Sequence, residues 1–257
     1  MNKDGIQKTI TQIRQEYQAA PIQKLPEFIC AYMSDSRNGV RKLVAQAENK
    51  IRRLEAERAR LYEMGEYERR YAQYTSICGI DEAGRGPLAG PVVAGAVILP
   101  KDCEILYIND SKQLSAKMRE ELFDVIMEQA VAAGVGIVPA ERIDEINILQ
   151  ATYEAMREAI NNLGIIPDIL LNDAVTIPDV PTKQVPIIKG DAKSISIAAA
   201  SILAKVTRDH MMEEYDRIYP EYGFASHKGY GTKEHIRALR QAGPCRIHRR
   251  TFIHSFL

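Results

Sequence analysis

Two adjacent carboxylates, Asp81 and Glu82, stand between two apolar runs, Ile77 to Ile80 and Val92 to Leu99. Successive residues of a strand point to opposite faces, so neighbouring acids share one site only where the strand ends and the backbone turns. Gly84, Gly86, Pro87 and Gly90 supply residues for that turn. A carboxylate at the tip of a buried strand is costly unless it is paired or bound to a cation. Oxygen-only ligands suit a hard ion such as Mg²⁺ or Mn²⁺ rather than zinc. The bland alternative is a tight turn carrying two solvated acids. Gly84-Arg85-Gly86 weighs against it, because two residues without side chains let the backbone come very close to a partner.

Two further acids stand where a sheet fold places ligands. Asp173 ends the apolar run Ile169-Leu-Leu171, and Asp191 follows a lysine-glycine corner just before a helical stretch. Taken singly, each also reads as a surface or capping residue. Several ordered stretches then accumulate. They are Gly79-Ile-Asp-Glu-Ala-Gly-Arg-Gly-Pro87, Asp110-Ser-Lys112, Asp144-Glu-Ile-Asn-Ile-Leu149, Lys189-Gly-Asp-Ala-Lys193, the run from Ala198 to Asp209, and His227-Lys-Gly-Tyr230. Together they resemble the ribonuclease HII family, the type 2 ribonucleases H, over roughly residues 76–254. The resemblance does not cover residues 1 to about 70, which read as the N-terminal helical extension of a bacterial form.

The resemblance implies an RNase H-like α/β fold and an endonuclease that hydrolyses the RNA strand of RNA–DNA hybrids. It implies incision 5′ of single ribonucleotides in duplex DNA, leaving 5′-phosphate and 3′-hydroxyl ends. It assigns Asp81, Glu82, Asp173 and Asp191 as metal ligands and catalytic residues. Two divalent ions about 4 Å apart, Mg²⁺ or Mn²⁺, would then activate water and stabilise the departing oxygen. One departure stands out: Asn172-Asp173-Ala174 occupies the place where the family usually carries an apolar residue, Asp, then Gly. The resemblance also assigns Gly84, Arg85 and Gly86 to the ribose 2′-hydroxyl, which only RNA carries. It assigns Tyr230 to stacking on the deoxyribose beside the ribonucleotide. Lys112, Lys193, Lys205 and Lys228 are candidate phosphate contacts, although Lys205 can instead pair with Asp209 one helical turn on. The sister ribonuclease HIII family lacks the Gly-Arg-Gly pattern. Gly84 to Gly90 fits neither a dinucleotide fingerprint nor a P-loop.

These residues need a scaffold. A length of 257 allows one large or two modest domains. Ile77–Ile80, Val92–Leu99, Glu104–Ile108, Val135–Val138, Ile169–Leu171 and Gln184–Ile188 read as strands. Helices are expected from Ser115, as cap, to about Ala132, from Ile148 to Leu163 with Gly164 after it, and from Ser194 to about Ile218. Strands followed by alternating helices and strands predict a mixed central sheet flanked by helices over residues 71–257. Residues 1–70 predict a small helical domain. Ile6, Ile10, Ile13 and Tyr17 mark a first helix, a short one follows Pro26, and Val40, Leu43, Val44, Ala47, Ile51, Leu54 and Leu61 stripe a long one ending near Gly65.

Lysine plus arginine and aspartate plus glutamate balance at 34 each, so no cationic field covers the molecule. Basic residues outnumber acidic ones 14 to 10 in residues 1–70 and seven to two from Glu221 onward, which leaves the middle acidic. The N-terminal cations therefore read either as an aid to substrate binding or as the solvated face of a helix rich in Glu–Arg pairs. Cys30, Cys78, Cys103 and Cys245 are too scattered for a metal pattern or a disulfide framework. The five histidines show no ligand spacing and read as surface or phosphate-proximal. No signal peptide or membrane span is apparent, so a cytoplasmic protein is expected, and it is taken separately to be a monomer. His248-Arg-Arg-Thr-Phe252 resembles the family's C-terminal element, with its arginines near phosphate or satisfying carbonyls. Phe252, Ile253, Phe256 and Leu257 form an apolar end that docks either on its own domain or on a partner such as a replication clamp.

Overall fold

The computed structural model describes residues 8–257, which part into two compact units between Tyr62 and Glu63. Ile6, expected in the first helix, lies outside the described residues. In the N-terminal unit, α1 (Ile10–Ala19) opens on a capping box in which Thr9 and Gln12 each accept from the other's backbone N–H. Pro26 sits in the first turn of α2 (Leu25–Tyr32), where its missing N–H costs nothing. The long α3 (Asn38–Met64) stops before Gly65. Ile13, Leu25, Phe28, Val40, Leu43, Val44 and Ala47 form the core of this unit. Helices as short as α1 and α2 do not persist alone, and the apolar stripe they share with α3 is what holds them. Arg41, Lys42, Arg52 and Arg53 lie off that stripe and are exposed.

The second unit begins with α4 (Glu66–Arg70) and builds a sheet from β1 (Ile77–Ala83), β2 (Val92–Ile98), β3 (Ala132–Val138), β4 (Ile169–Asp173) and β5 (Lys183–Ile187). Its helices are α5 (Ala116–Gln129), α6 (Ala140–Asn161), α7 (Ile195–Ile218), α8 (Phe224–His227), α9 (Lys233–Ala242) and α10 (Arg250–Ile253). The strand order is β3-β2-β1-β4-β5. The pairs β1–β2 and β2–β3 are antiparallel, and β1–β4 and β4–β5 parallel. This is the mixed sheet the alternation predicts.

Glycines set how closely the helices lie on it. A Cβ at Gly79 would fall 2.0 Å from the Ser196 carbonyl carbon, and one at Gly95 2.4 Å from the Ala200 oxygen, so α7 rests directly on β1 and β2. On the other face Gly134 and Gly136 admit α6, with Cβ positions 2.2 and 1.9 Å from the Ala159 and Ala155 oxygens. Cys78, Ile80, Val92, Ala94, Ala96 and Ile98 pack there against Ala151, Ala155, Met156 and Ala159. α7 starts at Ser194, whose hydroxyl caps Ile197 and donates at 2.6 Å to Glu68.

Two expectations are corrected and one is extended. Glu104–Ile108 is not a strand: Ile105 and Ile108 are buried three residues apart, a spacing that anchors a loop rather than alternating along a sheet. The helix expected from Ile148 is the second half of α6. Asn147, at φ 67° and ψ 164°, breaks the helix and caps its continuation through the Leu149 and Gln150 amides. β1 does not stop at Ile80 but runs to Ala83, because β2 continues opposite it and pairs Asp81 with Gly95 and Glu82 with Ala94.

Candidate active site

The last pair between β1 and β4 is Ile80 with Asn172, so Asp81 and Asp173 are the next residues at the carboxyl ends of two parallel strands. Equivalent positions in a parallel ladder share a face, which puts these two side chains together on the α7 side. Glu82 points to the other face of β1, and its carboxyl still feels the Asp173 and Lys112 charges. Asp191 comes from a single 3₁₀ turn, Gly190–Ala192, between β5 and α7. Asp173 accepts from the Gly190 amide at 2.7 Å, tying β4 to that turn.

The acids strain against one another. Burial, then the Glu82 and Asp173 charges, hold the Asp81 carboxyl well above the usual carboxylate range, against a hydrogen bond from Ser201. Burial raises Glu82 despite the opposing pull of Arg85, whose guanidinium lies 3.3 Å away. Burial, then Asp110 and Asp173, raises Asp191. Lys112 is the counterpart: burial works against its charge, but Asp110, Asp81, Asp191 and Asp173 outweigh that and raise it. Among the described residues no three acids, histidines or cysteines are already gathered as a ready-made metal cage. The donor set is nonetheless made of carboxylate oxygens with excess negative charge, which fits a hard divalent ion.

Beside the acids, Gly84 lies at φ 93°, and a Cβ there would strike Arg208 Nε at 2.1 Å. Gly86 is different. Its φ lies outside the left-handed region, and a Cβ would meet nothing nearer than Tyr230 Cε1 at 3.8 Å. Among the described residues no contact requires glycine at that position. The Tyr230 ring alongside is half exposed, so bare backbone and an open aromatic ring form one surface next to the acids.

Comparison with known proteins settles the family. The family model described as Ribonuclease HII matches residues 78–255, and that of the Ribonuclease HII N-terminal domain matches residues 9–72. The chain belongs to the ribonuclease HII family. It is 67% identical over 222 residues to the Lachnoclostridium phytofermentans ribonuclease HII, covering 86% of this chain and 87% of that one. It is 52% identical over 252 residues to that of Clostridioides difficile, covering 97% and 99%. The solved PCNA:RNase HII complex from Archaeoglobus fulgidus superposes with TM-score 0.58 at 29% identity, over 68% of this chain and 94% of that one. The fold is thus RNase H-like, and the chain is a ribonuclease H, a nuclease that acts on RNA–DNA hybrids. No helix among the described residues is long and apolar enough to cross a membrane.

Within this ribonuclease HII the lysines divide. Lys112 is exposed yet feels the charges of Asp110, Asp81, Asp191 and Asp173, and Lys193 is exposed two residues past Asp191. Lys228 donates to Glu213 at 2.7 Å, and Lys205 to Asp209 at 2.7 Å, the pairing its spacing allows. The expectation that the five histidines are surface or phosphate-proximal groups fails for two of them. His235 and His248 are fully buried with their Nε2 atoms 3.0 Å apart. His248 Nδ1 accepts from the Cys245 amide and His235 Nδ1 meets the Tyr230 carbonyl, so each ring carries one proton and the pair is neutral. Burial lowers both, His248 to about 4.

Sequence reasoning also missed the supports of the acids. Ser111 and Ser201 share a hydrogen bond of 2.9 Å behind Asp81, and Asp110 is hydrogen-bonded to Asp191. Both Asp110 and Ser111 stand in the Asp-Ser-Lys stretch, but nothing in their types says what they face. In the tail, Ile253 packs with Leu88 and Leu239 beside Phe252 and Phe256, while Leu257 stays exposed.

Proposed function

We propose that Asp81, Glu82, Asp173 and Asp191 hold two Mg²⁺ or Mn²⁺ ions and cut the RNA strand of hybrids, and duplex DNA 5′ of a single ribonucleotide, leaving 5′-phosphate and 3′-hydroxyl ends. The observation that carries this reading is electrostatic. The neighbours Asp81 and Glu82 on β1 and the distant Asp191 are pushed toward their protonated forms, and each of the three feels Asp173. When bound, the divalent ions supply charge stabilisation at the attacking and departing oxygens. The chain's own part is to hold the carboxylates in place. Ser201 donates to Asp81, Gly190 to Asp173, and Lys112 offers a cation to a phosphate nearby.

Gly84, Arg85 and Gly86 read the ribose 2′-hydroxyl through backbone, and Tyr230 stacks on the adjoining deoxyribose. The open space at Gly86 beside the Tyr230 ring supports this pairing. Lys193 and Lys228 contact flanking phosphates, Lys228 by exchanging Glu213 for the backbone. The N-terminal helical domain, residues 1–70, aids substrate binding through its exposed arginines and lysines, and the catalytic domain comprises residues 71–257. A replication-clamp contact at the C-terminus draws support from the archaeal PCNA complex. With Phe252, Ile253 and Phe256 packed at home, Leu257 is the apolar group free to make it.

The test is nicking of a DNA duplex containing one ribonucleotide, with and without Mg²⁺ or Mn²⁺, with both new ends identified. The expected outcome is one ion-dependent cut 5′ of the ribonucleotide with a 3′-hydroxyl upstream. A cut on its 3′ side, or cleavage that survives chelation, contradicts the reading.

A further inference from the structure

Arg208 and Arg249 are the largest fully buried side chains, and among the described residues neither forms an ion pair. Among the described residues all their hydrogen-bond partners are backbone carbonyls, and the Arg249 guanidinium also lies over the Phe252 ring, 5.2 Å from its centre. Arg249 donates to the Gly84, Arg85 and Gly90 oxygens at 2.5, 2.9 and 3.0 Å. Arg208 donates to the Pro91, Ala89 and Lys228 oxygens at 2.9, 3.1 and 2.9 Å. Five of these six carbonyls belong to the stretch from Gly84 to Pro91. Burying a cation without a counter-charge is expensive, and well-packed apolar side chains would brace a loop at lower cost. The arginines therefore do something that apolar packing does not.

The peptide plane shows what it is. In a planar trans peptide the C=O of one residue and the N–H of the next point in opposite directions. With the Gly84 and Arg85 oxygens drawn inward onto one guanidinium, the N–H groups of Arg85 and Gly86 face away from it. Among the described residues neither amide donates to another group. They emerge where Gly86 leaves open space beside Tyr230. The planar fork matters here, because it reaches successive carbonyls at fixed angles while a lysine ammonium has no such geometry. Arg249 arrives from the chain's last segment, which pairs through Arg249 N–H to Leu88 O and Gly90 N–H to Ile247 O, so the tail completes the corner.

We infer that Arg249 is a positioning residue for ribose recognition: its guanidinium holds the Gly84 and Arg85 carbonyls so that the Arg85 and Gly86 amides are presented to the 2′-hydroxyl, with Arg208 bracing the same loop. This rests on the proposed reading of the corner as the ribose sensor.

The test compares the wild-type chain with Arg249→Lys in Mg²⁺. It measures kcat and KM on an RNA–DNA hybrid and the inhibition constant of an all-DNA duplex of the same sequence. The expected result in folded R249K is a hybrid KM about tenfold higher, roughly the effect of removing one charge-assisted hydrogen bond, with the all-DNA inhibition constant changed less than about twofold. Preference for RNA then collapses. A merely structural role would weaken both duplexes together, and an unchanged ratio of the two constants overturns the inference. A second arm needs no variant. In the wild-type protein, hydrogen exchange at the Arg85 and Gly86 amides should be fast, and slowed by the hybrid but not by the all-DNA duplex. Slow exchange in the free protein overturns the inference even if R249K does not fold. Fast exchange that the hybrid leaves untouched overturns the ribose-sensor reading itself, and the inference with it.

Discussion

Gly84 and Gly86 stand two residues apart and carry opposite predictions. Alanine at 84 meets both a left-handed backbone and Arg208 Nε at 2.1 Å, so Gly84→Ala should destabilise by several kcal/mol, of order 3. Alanine at 86 meets nothing closer than 3.8 Å, so Gly86→Ala should keep its stability within about 0.5 kcal/mol of the wild type. It should nonetheless cut a one-ribonucleotide duplex at least about tenfold more slowly, since a methyl group would stand where the ribose approaches. Thermal melts and initial rates check both, and full activity in Gly86→Ala removes the corner from substrate recognition. Asp81 gives the second prediction at this scale. A buried carboxyl raised in the folded state favours folding below its unfolded pKa, and that contribution is lost as pH rises through the folded value. Asp81→Asn should therefore raise the metal-free melting temperature above neutral pH by a few degrees, about the effect of 1 kcal/mol, while abolishing cleavage. Because Asp81, Glu82 and Asp191 must shed protons to bind cations, wild-type activity should climb through the mildly alkaline range. A rate flat across that range contradicts this.

At the scale of elements, α7 carries the site by its closeness to the sheet. Ser201 on α7 donates to Asp81 and so favours the carboxylate. Ser201→Ala should push the Asp81 carboxyl higher still and move the rising limb of the pH–rate profile to higher pH, with the maximal rate less affected. A profile that stays in place shows that the serine does not tune the acid. Much of this architecture is legible in the sequence because it is local. Ser115 and Ser194 cap the helices expected of them, Gly65 follows the end of α3, and the apolar runs at Val92 and Ile169 are buried strands. What escapes is set by partners distant in the chain. β1 extends to Ala83 because β2 lies opposite, and Asn147 breaks α6 through its own side chain, a device that looks like an ordinary helical asparagine in sequence. His235 and His248 read as surface or phosphate-proximal residues until the fold brings their rings together, and the buried role of Arg208 has no local signal. The four acids could be picked out one by one, but their gathering depends on the register of β1 against β4.

For the whole molecule, charge is balanced, so attraction for nucleic acid must come from local groups. On the proposed reading the N-terminal unit supplies some of them. Removing residues 1–62 should weaken hybrid binding and flatten the dependence of log affinity on log salt by about 0.7 to 0.9 for each phosphate that is no longer neutralised. An unchanged slope would return those arginines to the role of a solvated helix face. The catalytic unit keeps its own core, so the truncated chain should still cut at saturating substrate. The most direct test of the central claim, that acids from three parts of the chain share one divalent-ion site, is calorimetric titration of Mn²⁺ into the wild type and into Asp81→Asn, Asp173→Asn and Asp191→Asn, in buffers of different ionisation enthalpy. Binding to the wild type at neutral pH should release protons, and affinity should be at least about tenfold lower in each variant. Wild-type affinity in Asp173→Asn or Asp191→Asn, or binding that releases no protons, would contradict it.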